Sequence, residues 1–111
     1  MTAARLSALD RTLAALADPE RRRAVDLLRQ RPRRAGELAT ELGLPPTAMS
    51  RHLKVLRASG LIEESHPEFD ARVRIITLRP QPVAELKAWL EETQQGWEQQ
   101  LAAFKTYAEH G

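Results

Sequence analysis

Thr47, Ser50, Arg51 and Lys54 stand about one helical turn apart, with Met49, Leu53 and Leu56 on the intervening positions. On a helix this spacing separates an apolar side from a side of short hydroxyls and cations. Hydroxyls and a guanidinium can read base edges, and a lysine can hold a phosphate. The chemistry on offer is therefore recognition of a nucleic acid, and the expected partner is the major groove of double-stranded DNA.

Chemistry on bound substrates finds no comparable set of residues, and the chain does not read as an enzyme. It has no glycine-rich phosphate loop, no Ser–His or Cys–His arrangement with an orienting acid, and no helical histidine pair for a metal. Glu63/Glu64 and Glu91/Glu92 are adjacent pairs, so on regular elements their carboxylates diverge. With no cysteine among 111 residues, disulfides and thiolate ligands are absent. A hydrophobic content of 42% against 29% charged residues is that of a soluble globular domain. No apolar run approaches the roughly 20 residues of a membrane span. The N-terminal MTAARLSALDRTLAAL is interrupted by Arg5, Asp10 and Arg11 and does not read as a signal peptide, so a cytoplasmic location is expected.

The elements that position the polar face follow from punctuation. Leu6, Leu9, Leu13 and Leu16 mark a first amphipathic helix over 5–17. Asp18-Pro19 supplies an N-cap and a first helical residue for a second helix, which runs to about Gln30 with Val25 and Leu28 inward. Arg21, Arg22 and Arg23 fall in its first turn, where the helix dipole disfavours cations, so carboxylates or a phosphate backbone should account for them. RPRR (31–34) reads as a linker.

Residues 35–59 read as a helix–turn–helix. Ala35 to Leu42 form a short helix through Leu38 and Leu42, Gly43 suits a left-handed cap, and Pro45-Pro46 open the helix of the polar face, which Gly60 ends. Over 61–78, Leu61-Ile62 and Arg72 to Leu78 read as a hairpin with SHPEFDA at its tip. In the second strand Val73, Ile75 and Thr77 alternate with Arg72, Arg74 and Ile76, and Pro80 and Pro82 close it.

From Val83 to about Ala108 the apolar positions Val83, Leu86, Leu90, Thr93, Trp97, Leu101 and Phe104 step by three or four, with Trp89 on a flank. A helix of that length measures about 39 Å and overhangs a body of 80 residues. Such a stripe normally meets a partner. The expectation is a homodimer in which the helices over 5–17 and 82–108 pack on their symmetry mates through Leu6, Leu9, Leu13, Leu86, Leu90, Trp97, Leu101 and Phe104. Dimerisation would place two recognition helices about 34 Å apart, one turn of DNA. Charge agrees in direction: residues 1–80 hold fifteen Lys/Arg and ten Asp/Glu, residues 81–111 two and five.

The fold class is thus mainly α with a small β-hairpin, a winged helix–turn–helix in the order α1-α2-α3-α4-β1-β2-α5. LADPERRRAVDLL (16–28), GELATELGL (36–44) with MSRHLKVLRASGLI (49–62), and RVRIITL (72–78) together resemble the ArsR/SmtB family of winged-helix transcriptional regulators. The ending WLEETQQGWEQQL is similar to a metal-free branch of that family. The resemblance implies a homodimeric repressor at an inverted-repeat operator. It departs from the family pattern at Pro45-Pro46, where a polar pair usually starts the recognition helix, and at Ile76, where the wing often has tyrosine.

On this reading Thr47, Ala48, Ser50 and Arg51 contact DNA, Thr47 and Ser50 at bases or phosphates, with Arg51 the best candidate for a bidentate guanine contact. Lys54 and Arg57 go to phosphates, Arg72 and Arg74 work from the wing, and His52 packs beneath the helix. The family's two usual metal sites need cysteines, or Asp–His pairs on the last helix, and this chain has neither. No cofactor is expected. The alternatives are a metal-responsive regulator or activator, holding Ni²⁺ or Zn²⁺ through His66 or His110 with Glu64, Glu68 or Glu109, and a winged-helix protein-interaction module that does not bind DNA.

Overall fold

Asp18 adopts an extended backbone, and its carboxylate accepts from the N–H groups of Glu20 (2.8 Å) and Arg21 (3.2 Å). This cap, with Pro19 in the first helical position, starts one of five helices in a computed structural model that describes residues 3–110, and side chains from 7 to 109. The elements are α1 (Ala3–Leu16), α2 (Pro19–Gln30), β1 (Arg33–Arg34), α3 (Ala35–Leu42), α4 (Pro46–Ala58), β2 (Ile62–Ser65), β3 (Ile75–Leu78) and α5 (Pro80–His110). The strands form one antiparallel sheet in the order β1-β3-β2.

Helices α3 and α4 form the expected helix–turn–helix. Gly43 takes φ 67°, and its N–H reaches back to Thr40 O, which is the left-handed C-cap that a glycine supplies without a Cβ clash. The apolar side of α4 is sealed: Met49, Leu53 and Leu56 are buried together with Leu38 of α3, Ala24 and Leu28 of α2, and Leu61 and Ile76 from the sheet region. Gly60, at φ 81°, turns the chain out of α4 and into β2.

Several expectations are corrected. RPRR is not merely a linker. Arg33 and Arg34 pair with Ile76 and Ile75 as the third strand, and Arg33 is buried, its guanidinium bonded to Glu41 and to Gln30. Leu61 precedes the first wing strand, and Arg72 to Arg74 lie outside the second; Ile76, assigned to the polar row, is the fully buried residue. The alternation is present but in the opposite phase: Ile76 takes the face of the central strand that meets the core, while Ile75 and Thr77, on the other face, are half-buried. Pro80 and Pro82 do not only close β3. They occupy the first turn of α5, where a proline costs no hydrogen bond.

Of the first-turn arginines of α2, Arg21 lies 3.9 Å from the Asp18 carboxylate, as expected, but Arg21 and Arg22 also find partners that were not expected. Arg21 Nε donates to Ala15 O at 2.6 Å, and Arg22 Nη1 donates to Leu16 O at 2.7 Å and Ala17 O at 3.1 Å. They satisfy the orphan carbonyls at the C-terminus of α1, whose dipole attracts cations.

Helix α5 packs on α1 near its start and then runs free, so that every residue from 94 to 109 is exposed. Trp97, Leu101, Phe104 and Tyr107 are each more than 60% exposed. Leu90 is also exposed and Leu86 half-buried. At the other end of the expected interface, Leu13 is 39% exposed but Leu9 is buried within the chain, so its surface is already used. The Leu6 side chain lies outside the described residues.

Candidate nucleic-acid interface

Helix α4 begins without a side-chain cap, because Pro45 at the N-cap and Pro46 after it have no group to offer. The first polar side chain able to reach outward is therefore that of Thr47, the second residue of the helix. Thr47, Ser50, Arg51, Lys54 and Arg57 are all exposed, and Ala48 is half-buried among them. The helix carries Arg51, Lys54 and Arg57 and no carboxylate. No ion pair or hydrogen bond engages the side chain of Arg51 or Lys54 among the described residues, leaving both cations available to an outside anion.

His52 is half-buried as expected beneath the helix. Its Nε2 lies 2.9 Å from Glu20 Oε2, and its Nδ1 lies 3.4 Å from Arg21 Nη1. The recognition helix is thereby fastened to the start of α2.

The wing is less cationic than its arginines suggested. Residues 61–78 hold Arg72 and Arg74 against Glu63, Glu64, Glu68 and Asp70. Arg72 extends fully into solvent beside Asp70, with Nε 3.2 Å from the Asp70 carboxylate. Arg74 is half-buried and its Nε bonds Glu64 Oε1. The second oxygen of Glu64 accepts from Arg57 Nη1 at 2.5 Å. Hydrogen bonding from Arg74, reinforced by the charges of Arg74 and Arg57, holds the Glu64 carboxyl below its ordinary range. Two cations expected to be free thus share one carboxylate, a link that sequence spacing does not reveal because it crosses from helix to hairpin.

Between α3, α4 and the wing lies a cleft of about 370 Å³. Ala39, Met49, Leu53 and Val73 line its floor, and Arg34, Ser50, Arg72 and Arg74 stand around it. Ala35 N–H donates to Arg74 O at 3.1 Å, joining the wing root to the start of α3.

Of the residues offered for the alternative metal site, those described are engaged elsewhere. His66 bonds its Nδ1 to Val73 O at 3.0 Å within the wing, and Glu64 is held by two arginines. The side chain of His110 lies outside the described residues. Among those described, Asp18, Glu20 and His52 bring ligand-type atoms within 4.8 Å of one another. They do not fit a metal: Asp18 is occupied as a helix cap, and the Arg21 guanidinium lies 3.4 Å from His52 and 3.9 Å from Asp18 Oδ2, where it already supplies the positive charge.

Residues 18–64 match the family model described as bacterial regulatory protein, arsR family. The HTH-type transcriptional regulator Rv2034 of Mycobacterium tuberculosis is 45% identical over 53 residues, which is 48% of this chain and 50% of that protein. The match thus spans half the length of that curated relative. The crystal structure of an ArsR family transcriptional regulator, RHA00566, is 30% identical with a TM-score of 0.73, covering 88% of this chain and 95% of that one. An ArsR-like transcriptional regulator from Rhodococcus sp. RHA1 superimposes with a TM-score of 0.84 at 28% identity, covering 100% and 99%. The homodimeric winged helix–turn–helix DNA-binding domain of Mb0332 from Mycobacterium bovis gives 0.67 at 29% identity, covering 84% and 83%.

Proposed function

This chain belongs to the arsR family of bacterial regulatory proteins, a family of transcriptional regulators and not of enzymes, and from that premise we propose that it binds double-stranded DNA as a two-fold homodimer, acting as a repressor at an imperfect inverted repeat. The observation that carries this reading is the composition of α4: three cations, two hydroxyl side chains and no carboxylate outward, with Met49, Leu53 and Leu56 buried behind them. Arg51 reads a base edge, Thr47, Ala48 and Ser50 lie against bases or sugar, and Lys54 holds a phosphate. Arg72 reaches the backbone from the wing, while Arg57 and Arg74 face DNA as part of a shared pair with Glu64. The exposed apolar positions of α5, with the homodimeric state of the M. bovis domain, support the two-fold assembly. A cytoplasmic location belongs to the same proposal; no helix among the described residues is long and apolar enough to cross a membrane.

The four carboxylates of the wing favour a second reading, in which the domain holds a protein partner through α5 and never touches DNA. Binding-site selection from random duplexes, followed by titration in increasing salt, separates the two. The first reading expects an enriched inverted repeat whose affinity falls steeply with salt. Failure to enrich any sequence, with no salt-dependent binding to the starting pool, would retire it in favour of the second. Adding Ni²⁺ or Zn²⁺ to parallel selections tests a metal-responsive form of the first.

A further inference from the structure

Glu64 sits where the wing meets the recognition helix. In the sheet it faces Ile76, and Arg74 lies two residues before Ile76, just ahead of β3, within reach of the Glu64 carboxylate. Seven residues before it, across the Gly60 turn, Arg57 occupies the last turn of α4. The Glu64 side chain is only 12% exposed, whereas those of Arg57 and Arg74 are 50% and 34% exposed. Its two oxygens are divided between them, one for each guanidinium. A half-buried carboxylate with both oxygens committed fixes two long side chains that would otherwise sample many rotamers. The hairpin root shares the core with α4 through Leu56, Leu61 and Ile62, and the tip, with Phe69 and Arg72 in solvent, carries contacts within the wing such as His66 to Val73 O and Arg72 to Asp70.

We propose that Glu64 is a positioning and specificity-determining residue for DNA recognition, locking the wing to the recognition helix and withholding from the phosphate backbone one of the two positive charges that Arg57 and Arg74 carry. This inference rests on the DNA-binding reading above. The triad has a net charge of one. A free pair of arginines at the same place would carry two and would strengthen binding to any sequence, because phosphate contacts are sequence-independent. Glu64 therefore trades general attraction for a fixed wing.

The test compares wild type and Glu64→Gln on two labelled duplexes, the selected inverted repeat and a scrambled one of equal length, across a potassium chloride series. Gln keeps the shape and removes the charge. The ratio of the two affinities, measured on one preparation, divides out any loss of folded protein. Glu64→Gln is expected to bind the scrambled duplex more tightly, to steepen the salt slope by about 0.9 for the one added charge, and to lower the affinity ratio by about fivefold, the scale of one lost coupled pair. In an Arg74→Gln background the same substitution should change the ratio much less. An affinity ratio unchanged from wild type overturns the proposal. So does a steeper slope without a change in ratio, since charge alone would then account for the residue. Wild-type protein that binds neither duplex refutes the DNA-binding reading itself, an outcome visible before any variant is made.

Discussion

Arg21 Nη1 lies 3.4 Å from His52 Nδ1, and the same guanidinium donates through Nε to Ala15 O at 2.6 Å. One side chain of α2 therefore touches the C-terminus of α1 and the inner side of α4. Helix α1 in turn packs on α5, so one of the two helices expected to form the dimer and the helix expected to read DNA are joined through this arginine.

Arg21→Ala should destabilise the fold by about 1–3 kcal/mol, because it leaves a helix-terminal carbonyl short of a charged donor and removes the packing of a largely buried stem. Arg22 is more exposed and its carbonyl partners can turn to water, so Arg22→Ala should cost less. Urea unfolding followed by circular dichroism gives both values. Equal costs for the two substitutions would contradict the role assigned to Arg21.

Arg51→Ala should weaken binding to the selected operator by about 1–3 kcal/mol, the range for losing a bidentate guanine contact. Its loss of affinity for scrambled DNA should be smaller. Lys54→Ala should instead weaken both duplexes alike and reduce the salt slope by about 0.9. Fluorescence anisotropy at several salt concentrations distinguishes a base reader from a phosphate holder. Interchanged behaviour would reverse the two assignments.

Most of α2, α3 and α4 was legible because their limits rest on local chemistry: Asp18-Pro19 starts one, Gly43 ends another, and Gly60 ends the third. The apolar spacing of Met49, Leu53 and Leu56 likewise fixed which side of α4 faces inward. What escaped was long-range. Arg33 and Arg34 become a strand only because β3 offers them an edge, which two residues cannot announce. Ile76 is buried because it takes the core-facing side of β3, and Arg72 and Arg74, which lie outside the strand, set the alternation in the wrong phase. In the same way, the contact of Glu64 with Arg57 and Arg74 arises only once the hairpin folds against α4, whereas no ion pair engages Arg51 or Lys54 among the described residues.

Stability should fall at acid pH through three carboxylates. Glu64 is held below its ordinary range by Arg74 first, and Glu37 by its hydrogen bond from Arg31. At Asp18 desolvation opposes ionisation, but the N–H groups of Arg21 and Glu20 outweigh it and the net shift is downward. Groups with lowered folded values favour folding above their unfolded values, near pH 4, and lose that contribution as pH drops through the folded ones. The unfolding midpoint should therefore be insensitive to these groups between pH 5 and 7, a window set by about one unit above the unfolded carboxylate values, and should decline below it. Glu64→Gln should lie lower at neutral pH and decline less steeply in acid. Parallel curves for variant and wild type would show that Glu64 ionisation contributes nothing to folding.

Leu101 is 62% exposed and Trp97 65% exposed on a stretch of α5, residues 94 to 109, that is exposed throughout. Replacing Leu101 by Asp should therefore leave the protomer folded, with an unchanged circular dichroism spectrum, and act only on assembly. A two-fold interface presents each residue twice. Burial of one leucine side chain contributes about 1.5–3 kcal/mol, so the substitution should weaken the dimer by roughly 3–6 kcal/mol, or between about two and four powers of ten in Kd. Leu9→Ala behaves differently in principle: Leu9 is buried within the chain, so its loss should lower protomer stability before it affects the dimer. Sedimentation velocity across a dilution series reads the association, and the operator titration then reads its consequence. A monomeric Leu101→Asp protein presents one recognition helix at a time and should keep the weak, half-site affinity of a single domain while losing the gain from two linked contacts. Persistence of the dimer in Leu101→Asp would move the two-fold contact away from the distal part of α5.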